Sequence, residues 1–386
     1  MPGCGSAAAG GRGPAAERVF AYGAAAGLVA DRLLGDPRRG HPVAAFGRAA
    51  GAVERVLWRD HRGWGALHTA VCAGGAVAVA ALAARGVRGV RGVREVRGVR
   101  GVRETGGARD LWGVRDVRVA RGATAAAPAS LASPRALAPV ALTAAATWAV
   151  VGGTSLGREA RAIGGALAAG DLGLARQRLP HLCGRDPQAL NGGQIARAVV
   201  ESVAENTSDA VVGALVWGAV AGVPGLVGFR AVNTLDAMVG HLSPRHRRFG
   251  WASARLDDLA GWPGARLTAA LAVVAGGDQR GALRALRADA HRHPSPNAGP
   301  VEAAFAGALG VRLGGTLAYA GRVEHRPVLN GEGRPVEVSD IERAVRLSGR
   351  VSALALVTCV AGRFGYGALR RAAERRTTSA GKGHGA

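Results

Sequence analysis

The segment from Asn191 to Asp209, NGGQIARAVVESVAENTSD, runs without interruption into Ala210 to Phe229, a stretch with no charged residue. On a helix, Gln194, Arg197, Glu201 and Glu205 recur at steps of three and four, so they share one face while Ile195, Val199 and Val203 point elsewhere. Two readings fit that stripe: a solvated helix with an ordinary Arg197–Glu201 surface pair, or one wall of a site. The setting favours the second. Polar groups at the threshold of an apolar segment are costly and usually functional. Because Pro224 lies between glycines in AGVPG, the apolar stretch is predicted to be kinked or re-entrant rather than a straight span.

Other segments are apolar too. Val19 to Leu34 is interrupted by Asp31, Trp64 to Ala84 has about the length of a bilayer crossing, Leu137 to Leu156 follows, and Val345 to Arg363 is a marginal last span. Pro263 to Gly276 is too short to cross and carries Arg266. The pattern predicts an all-α fold, a polytopic integral membrane helical bundle with long helical loops. One membrane-embedded domain is expected over residues 18–365, preceded by a disordered Gly/Ala/Pro-rich extension (1–17) without the features of a secretory signal, and followed by a basic disordered tail (366–386).

The net charge of +23 would suggest nucleic acid in a small soluble domain. Here the positive charge is almost all arginine, the one lysine being Lys382, and no aromatic interleaving or zinc-finger spacing accompanies it, so no nucleic-acid partner is expected. Six of the arginines recur in GVRGVRGVREVRGVRGVRE (Gly86 to Glu104), which reads as part of an Arg-rich low-complexity loop insertion over 85–125. Cys4, Cys72, Cys183 and Cys359 have no metal-site or disulfide spacing and fit a reduced compartment.

No GxxxxGK[ST] phosphate loop is present, and the scarcity of lysine excludes a lysine clamp or Schiff base. Phosphate chemistry would fall to arginines and a carboxylate-held Mg²⁺. Asp31, Asp36, Glu201, Glu205, Asp209, Asp236, Asp257 and Asp258 are candidates for metal or base, with Arg197, Arg230 and Arg255 for anions. Asn233 and Asp236 share a helix face; Asp257 and Asp258 point about 100° apart, so at most one shares a site with Arg255. His291 and His293, beside Pro294 and Pro296, read as loop residues. For any single acid the ordinary alternative is a helix cap or a structural ion pair.

The pieces DRLLGDPRRGHPV (31–43), GRDPQALNGGQIARAVVESVAENTSDAVVGAL (184–215), FRAVNTLDAMVGH (229–241), FGWASARLDDLAGWPGARL (249–267) and SPNAGPVEAAFAGALGVRLGG (295–315) resemble the adenosylcobinamide-phosphate synthases of cobalamin biosynthesis, in that family's order from about residue 24 to about 362. The N-terminal extension and the Arg-rich insertion depart from the family pattern without touching these motifs. The resemblance implies a multi-pass cell-membrane ligase that uses ATP and Mg²⁺ to join a propionate of adenosylcobyric acid to (R)-1-amino-2-propanol or its O-phosphate.

The inventory of residues is assigned to that chemistry as follows: Glu201, Glu205, Asp236 and Arg255 catalytic; Asn206, Asn233, Arg230, Asp258 and Asn297 substrate-binding; Glu201, Glu205 and Asp209 on the metal. The implied partners are the two substrates, the lipid bilayer and other cobalamin-pathway membrane enzymes. A transporter for a small or corrinoid substrate is the alternative, since broken apolar helices also build transport sites, although no inverted repeat is visible.

Overall fold

The computed structural model describes residues 14–36, 40–99, 134–184, 186–241, 243–319 and 322–382. Helix α1 (Pro14–Leu34) lies against α4 (Pro134–Val150), and the contact explains two of its glycines. A Cβ on Gly23 or Gly27 would run into the side chains of Thr143 and Thr147, so the Gly-xxx-Gly spacing lets the two backbones approach closely. Helix α2 (Pro42–Leu57) leads into α3 (Arg62–Val99), and α5 (Gly153–Ala168) and α6 (Leu172–Arg178) follow α4.

The polar segment forms α7 (Gly192–Asn206), started by a capping box in which Asn191 and Gln194 exchange backbone and side-chain hydrogen bonds. Its end opens into a π-helical turn, Thr207–Val212. The apolar stretch then breaks as its sequence suggests. Helix α8 (Gly213–Ala221) is about 13 Å long, less than half a bilayer crossing, and stops at Gly222, whose φ of 69° suits glycine. Helix α9 (Val223–Leu235) returns beside it, so close that a Cβ on Gly225 would meet the carbonyl of Trp217. The pair is a helical hairpin whose two ends lie side by side. A second π-helical turn, Asp236–Gly240, closes α9.

Helix α10 (Trp251–Ala275) packs against both π-helical turns, and α11 (Gln279–Asp289) and α12 (Ala298–Leu309) complete the core beside α7. Helix α12 buries eleven of its twelve residues and α7 nine of its fifteen, which is how a chain poor in aromatics builds a tight centre from Ala, Val and Gly. The strands β1 (Leu313–Tyr319) and β2 (Arg322–Leu329) pair antiparallel, and α13 (Val338–Lys382) ends the chain.

The fold is all-α apart from that small hairpin. Among the described residues, three segments are long and apolar enough to cross a membrane: Arg62–Val87, Leu137–Ala168 and Val338–Thr377. They contain the sequence-predicted spans beginning at Trp64, Leu137 and Val345. Three expectations need correction. The GVR repeat continues α3 as helix to Val99, because Val and Arg tolerate helix and a helix already under way costs little to extend; residues 100–133 of the insertion lie outside the described residues. The tail is helical to Lys382, not disordered. Residues 14–17 of the N-terminal extension begin α1, and 1–13 lie outside the described residues.

The bundle has two distinct ends. At one, the end of α1 meets the start of α5 through Asp31 and Thr154, and Thr207 hydrogen bonds Ser348 of α13. At the other, Glu17 of α1 pairs with Arg371 of α13, and Arg363 reaches the carbonyls of Gly218 and Ala219 near the hairpin tip.

Candidate active site

Because the hairpin returns on itself, the π-helical turn that precedes it and the one that follows it come together. The first carries Asp209 and the second Asp236. Single π-helical turns inside helices are uncommon and concentrate at functional sites, since widening the helix re-aims one side chain. Here each holds an acid. Gly240 is required by the second: a Cβ there would collide with the Asp236 carboxylate.

Helix α10 supplies the facing wall. The Asn233 amide donates to Asp257 Oδ1 at 3.4 Å and its carbonyl oxygen accepts from the Arg230 guanidinium at 3.4 Å, a long but continuous Arg–Asn–Asp chain between α9 and α10. The negative charges of Glu205, Asp257 and Asp236 all act on Asp209, with Arg230 opposing them. Asp36 bears on Arg230 from the loop after α1, and His41 lies 3.7 Å from Asp36. Four separated parts of the chain thus meet: Asp36 with His41, the α7 end, the α9 end and the α10 start.

Crowding changes the acidity of the group. Burial, then the neighbouring carboxylates, hold Asp209 well above the usual carboxylate range despite Arg230. Burial and Asp236 push Asp257 up to about 7, against the hydrogen bond from Asn233. Asp236 is also raised, by burial and by Asp258, with His241 opposing. Near neutral pH such a cluster gives up and takes protons readily and attracts cations.

The predicted site residues divide. Glu205, Asp209, Arg230, Asn233 and Asp236 fall within the cluster, and Arg255 and Asp258 sit on its rim as a pair at 3.5 Å. Glu201 does not belong. It is buried, accepts the backbone N–H of Gly314 at 2.7 Å and lies 3.9 Å from Arg197, so it anchors β1 onto α7. One helical turn separates it from Glu205, but that turn faces a different neighbour, so the structure does not place Glu201 with the acids it was expected to join in a catalytic and metal role. Asn206 returns its amide to Ser202, a local helix contact. Asn297 is occupied on both sides, donating to the Asp258 carbonyl at 2.9 Å and accepting from Arg266 at 3.0 Å, so it clamps α12 to α10 rather than facing substrate. Asp31 caps the start of α5 through the N–H and hydroxyl of Thr154. His293 is buried, its Nδ1 accepts the Ser295 N–H at 3.1 Å, and burial lowers its pKa.

Asp257 and Asp36, candidates for metal or base in the sequence but without a specific role among the expected site residues, join the cluster. The signals were present in the double acid of ARLDDL and in GDPRRGHP, but helical phase alone could not choose Asp257 over Asp258. Among the described residues no three acids, histidines or cysteines converge as a ready-made metal cage. The donor set nonetheless suits Mg²⁺, which commonly takes one or two carboxylates and fills its remaining positions with water and substrate phosphates. Asp209 with Asp236 or Asp257 would be those carboxylates.

The family model described as CobD/Cbib protein matches residues 24–348, a span that includes every segment of the cluster. The chain belongs to the CobD/Cbib protein family. Family relatives include the "Cobalamin biosynthesis protein CobD" of Mycobacterium tuberculosis, 47% identical over 88% of this chain and 95% of its own length. The protein of the same name in Chromobacterium violaceum is 39% identical over 84% of this chain and 90% of its own. That of Rhodobacter capsulatus is 46% identical over 56% of this chain and 68% of its own. No solved structure matches the chain.

Proposed function

We propose that this protein is a membrane-embedded cobalamin-biosynthesis enzyme that forms, with ATP, an amide between a propionate of adenosylcobyric acid and (R)-1-amino-2-propanol or its O-phosphate. The observation that carries the reading is the convergence of Glu205, Asp209, Arg230, Asn233, Asp236 and Asp257 at the base of the α8–α9 hairpin. The names of the relatives support the pathway, and the three long apolar helices support a multi-pass place in the cell membrane.

In this reaction the propionate would take the γ-phosphoryl group of ATP with departure of ADP, and the neutral amine would then displace phosphate; the chemistry needs a cation for the phosphates, a carboxylate to take a proton from the ammonium before it attacks, and groups that fix both reactants. When bound, Mg²⁺ would offset phosphate charge and polarise the phosphoryl group undergoing transfer. Asp257, half-protonated near pH 7 and oriented by Asn233, is suited to take the amine proton. Arg230 and Arg255 would hold phosphate oxygens, with Asp36 and Asp258 keeping the guanidinium groups near the site. Asp209 and Asp236 would hold the metal. Glu205, exposed at the edge, is suited to receive the incoming ammonium.

The test is incubation of the detergent-purified protein with adenosylcobyric acid, ATP, Mg²⁺ and either amine donor, followed by mass spectrometry. ATP-dependent gain of the donor mass is expected. Uptake of a corrinoid into vesicles with no covalent product would overturn the ligase reading in favour of transport.

A further inference from the structure

At the end of the bundle opposite the acid cluster, a cavity of about 780 Å³ opens between α1, the α8 arm of the hairpin, α10 and α13. Its walls are apolar, formed by Val216, Val220, Leu267, Cys359 and Tyr366. Two features distinguish it from a packing defect. The Glu17 side chain lines it while only 6% exposed; Oε1 accepts from Arg371 at 2.8 Å, but Oε2 is buried with no hydrogen-bond partner. A buried carboxylate oxygen without a donor is costly, and a bound N–H would relieve it. The second feature is a cationic side: Arg370 and Arg363 also line the cavity, Arg363 over the Phe20 ring.

The position narrows the ligand class. This part of α13 is the end of an apolar segment, Tyr366 is 71% exposed, and Arg370, Arg371, Arg375 and Arg376 follow at once. An exposed tyrosine succeeded by arginines is the composition of a membrane–water interface. We propose that the groove holds an aminophospholipid: the ammonium donating to Glu17, the phosphate beside Arg370, and an acyl chain along the apolar wall. A primary ammonium has N–H groups for Oε2, whereas the quaternary ammonium of a choline lipid has none and a glycerol headgroup brings no cation. The cavity is too large and too apolar for a small free amine to fill. This inference rests on the membrane location proposed above but not on the ligase chemistry.

The experiment reconstitutes the full chain into vesicles of equal parts phosphatidylethanolamine, phosphatidylcholine and phosphatidylglycerol, extracts it in mild detergent and identifies retained lipid by native mass spectrometry. Phosphatidylethanolamine should be enriched about tenfold over phosphatidylcholine, as a charge-assisted hydrogen bond predicts. Glu17→Gln should abolish the preference while leaving some lipid bound. Gly362→Leu, which grows a side chain into open space in the groove without touching Glu17, should reduce all retained lipid. Equal retention of the three lipids, an undiminished preference in Glu17→Gln, or displacement by millimolar free ethanolamine would each overturn the proposal. Protein that carries no lipid and fails to enter vesicles at all would overturn the membrane reading with it, whereas lipid without headgroup preference overturns the groove alone.

Discussion

The side-chain amide of Asn233 donates to Asp257 across 24 residues of sequence, joining the last turn of α9 to the early turns of α10. This contact makes Asp257 part of the carboxylate cluster and distinguishes it from its neighbour Asp258, whose carboxylate turns to Arg255 on the rim. Asp257→Asn should therefore lower turnover by about 10² to 10⁴, the range for loss of a general base, while Asp258→Asn should be milder. Comparable losses in both would refute the assignment. Steady-state rates of product formation decide it.

The acidity of Asp257 gives a pH profile. With its carboxyl at about 7, the base form is lost below neutrality, and activity should fall as pH drops from 8 to 6. Stability should move the other way. A carboxyl raised in the folded state binds its proton more tightly there than in the unfolded chain, so its contribution is greatest in acid and is lost as pH rises through about 7. Melting at pH 8 is expected to be several degrees higher in Asp257→Asn than in wild type, with the gap closing at pH 5. Added Mg²⁺ should raise the wild-type midpoint more at pH 8 than at pH 5; thermal melts in detergent give both comparisons.

Glu201 and Glu205 lie one turn apart on α7 yet are expected to fail differently. Glu201→Gln weakens the acceptor that holds Gly314, so it should reduce thermal stability by about 1–3 kcal/mol with turnover per folded molecule little changed. Glu205→Gln should leave melting near wild type and depress turnover or raise the amine KM. The reverse pattern would return Glu201 to the reacting centre.

Gly240 has no chemistry of its own, but Gly240→Ala places a methyl where the Asp236 carboxylate sits. Turnover should drop at least tenfold in protein that still extracts as a folded monodisperse species, with the loss about as large as that of Asp236→Asn. Wild-type turnover in Gly240→Ala would show that the position of Asp236 is immaterial.

Opposite ends of the bundle should face opposite sides of the membrane. A cysteine at Asp60, in the turn before α3, and one at Glu374, in α13 beyond Arg371, should react with an impermeant maleimide from opposite sides of sealed vesicles. Labelling of both from one side would exclude the bundle as a membrane-crossing unit.

Much of the architecture was legible along the chain. The uncharged run after Asp209, with Pro224 between glycines, announced a broken helix, because length and local backbone preference are properties of contiguous residues. The motif order announced the family for the same reason. The end of the repeat was not legible: three-residue periodicity suggested no regular structure, whereas α3 carries through to Val99.

The site was legible as an inventory and not as a set. Gln194, Arg197, Glu201 and Glu205 form one stripe on a helical projection, yet the first closes a capping box, the next two brace β1, and Glu205 alone reaches the cluster. Asn297 carried the motif's polarity but spends both ends of its amide on α10.

By itself the sequence determined the helical class, the apolar segments, the break at Gly222 and the list of acids available for chemistry. Only the tertiary structure decided which acids meet. The hairpin brings Asp209 and Asp236 to one end, two π-helical turns aim them, and the crossing of α10 selects Asp257. The physical reason is that a carboxylate's acidity and partners depend on the charges within a few ångströms, and those charges come from segments that helical periodicity cannot relate to one another.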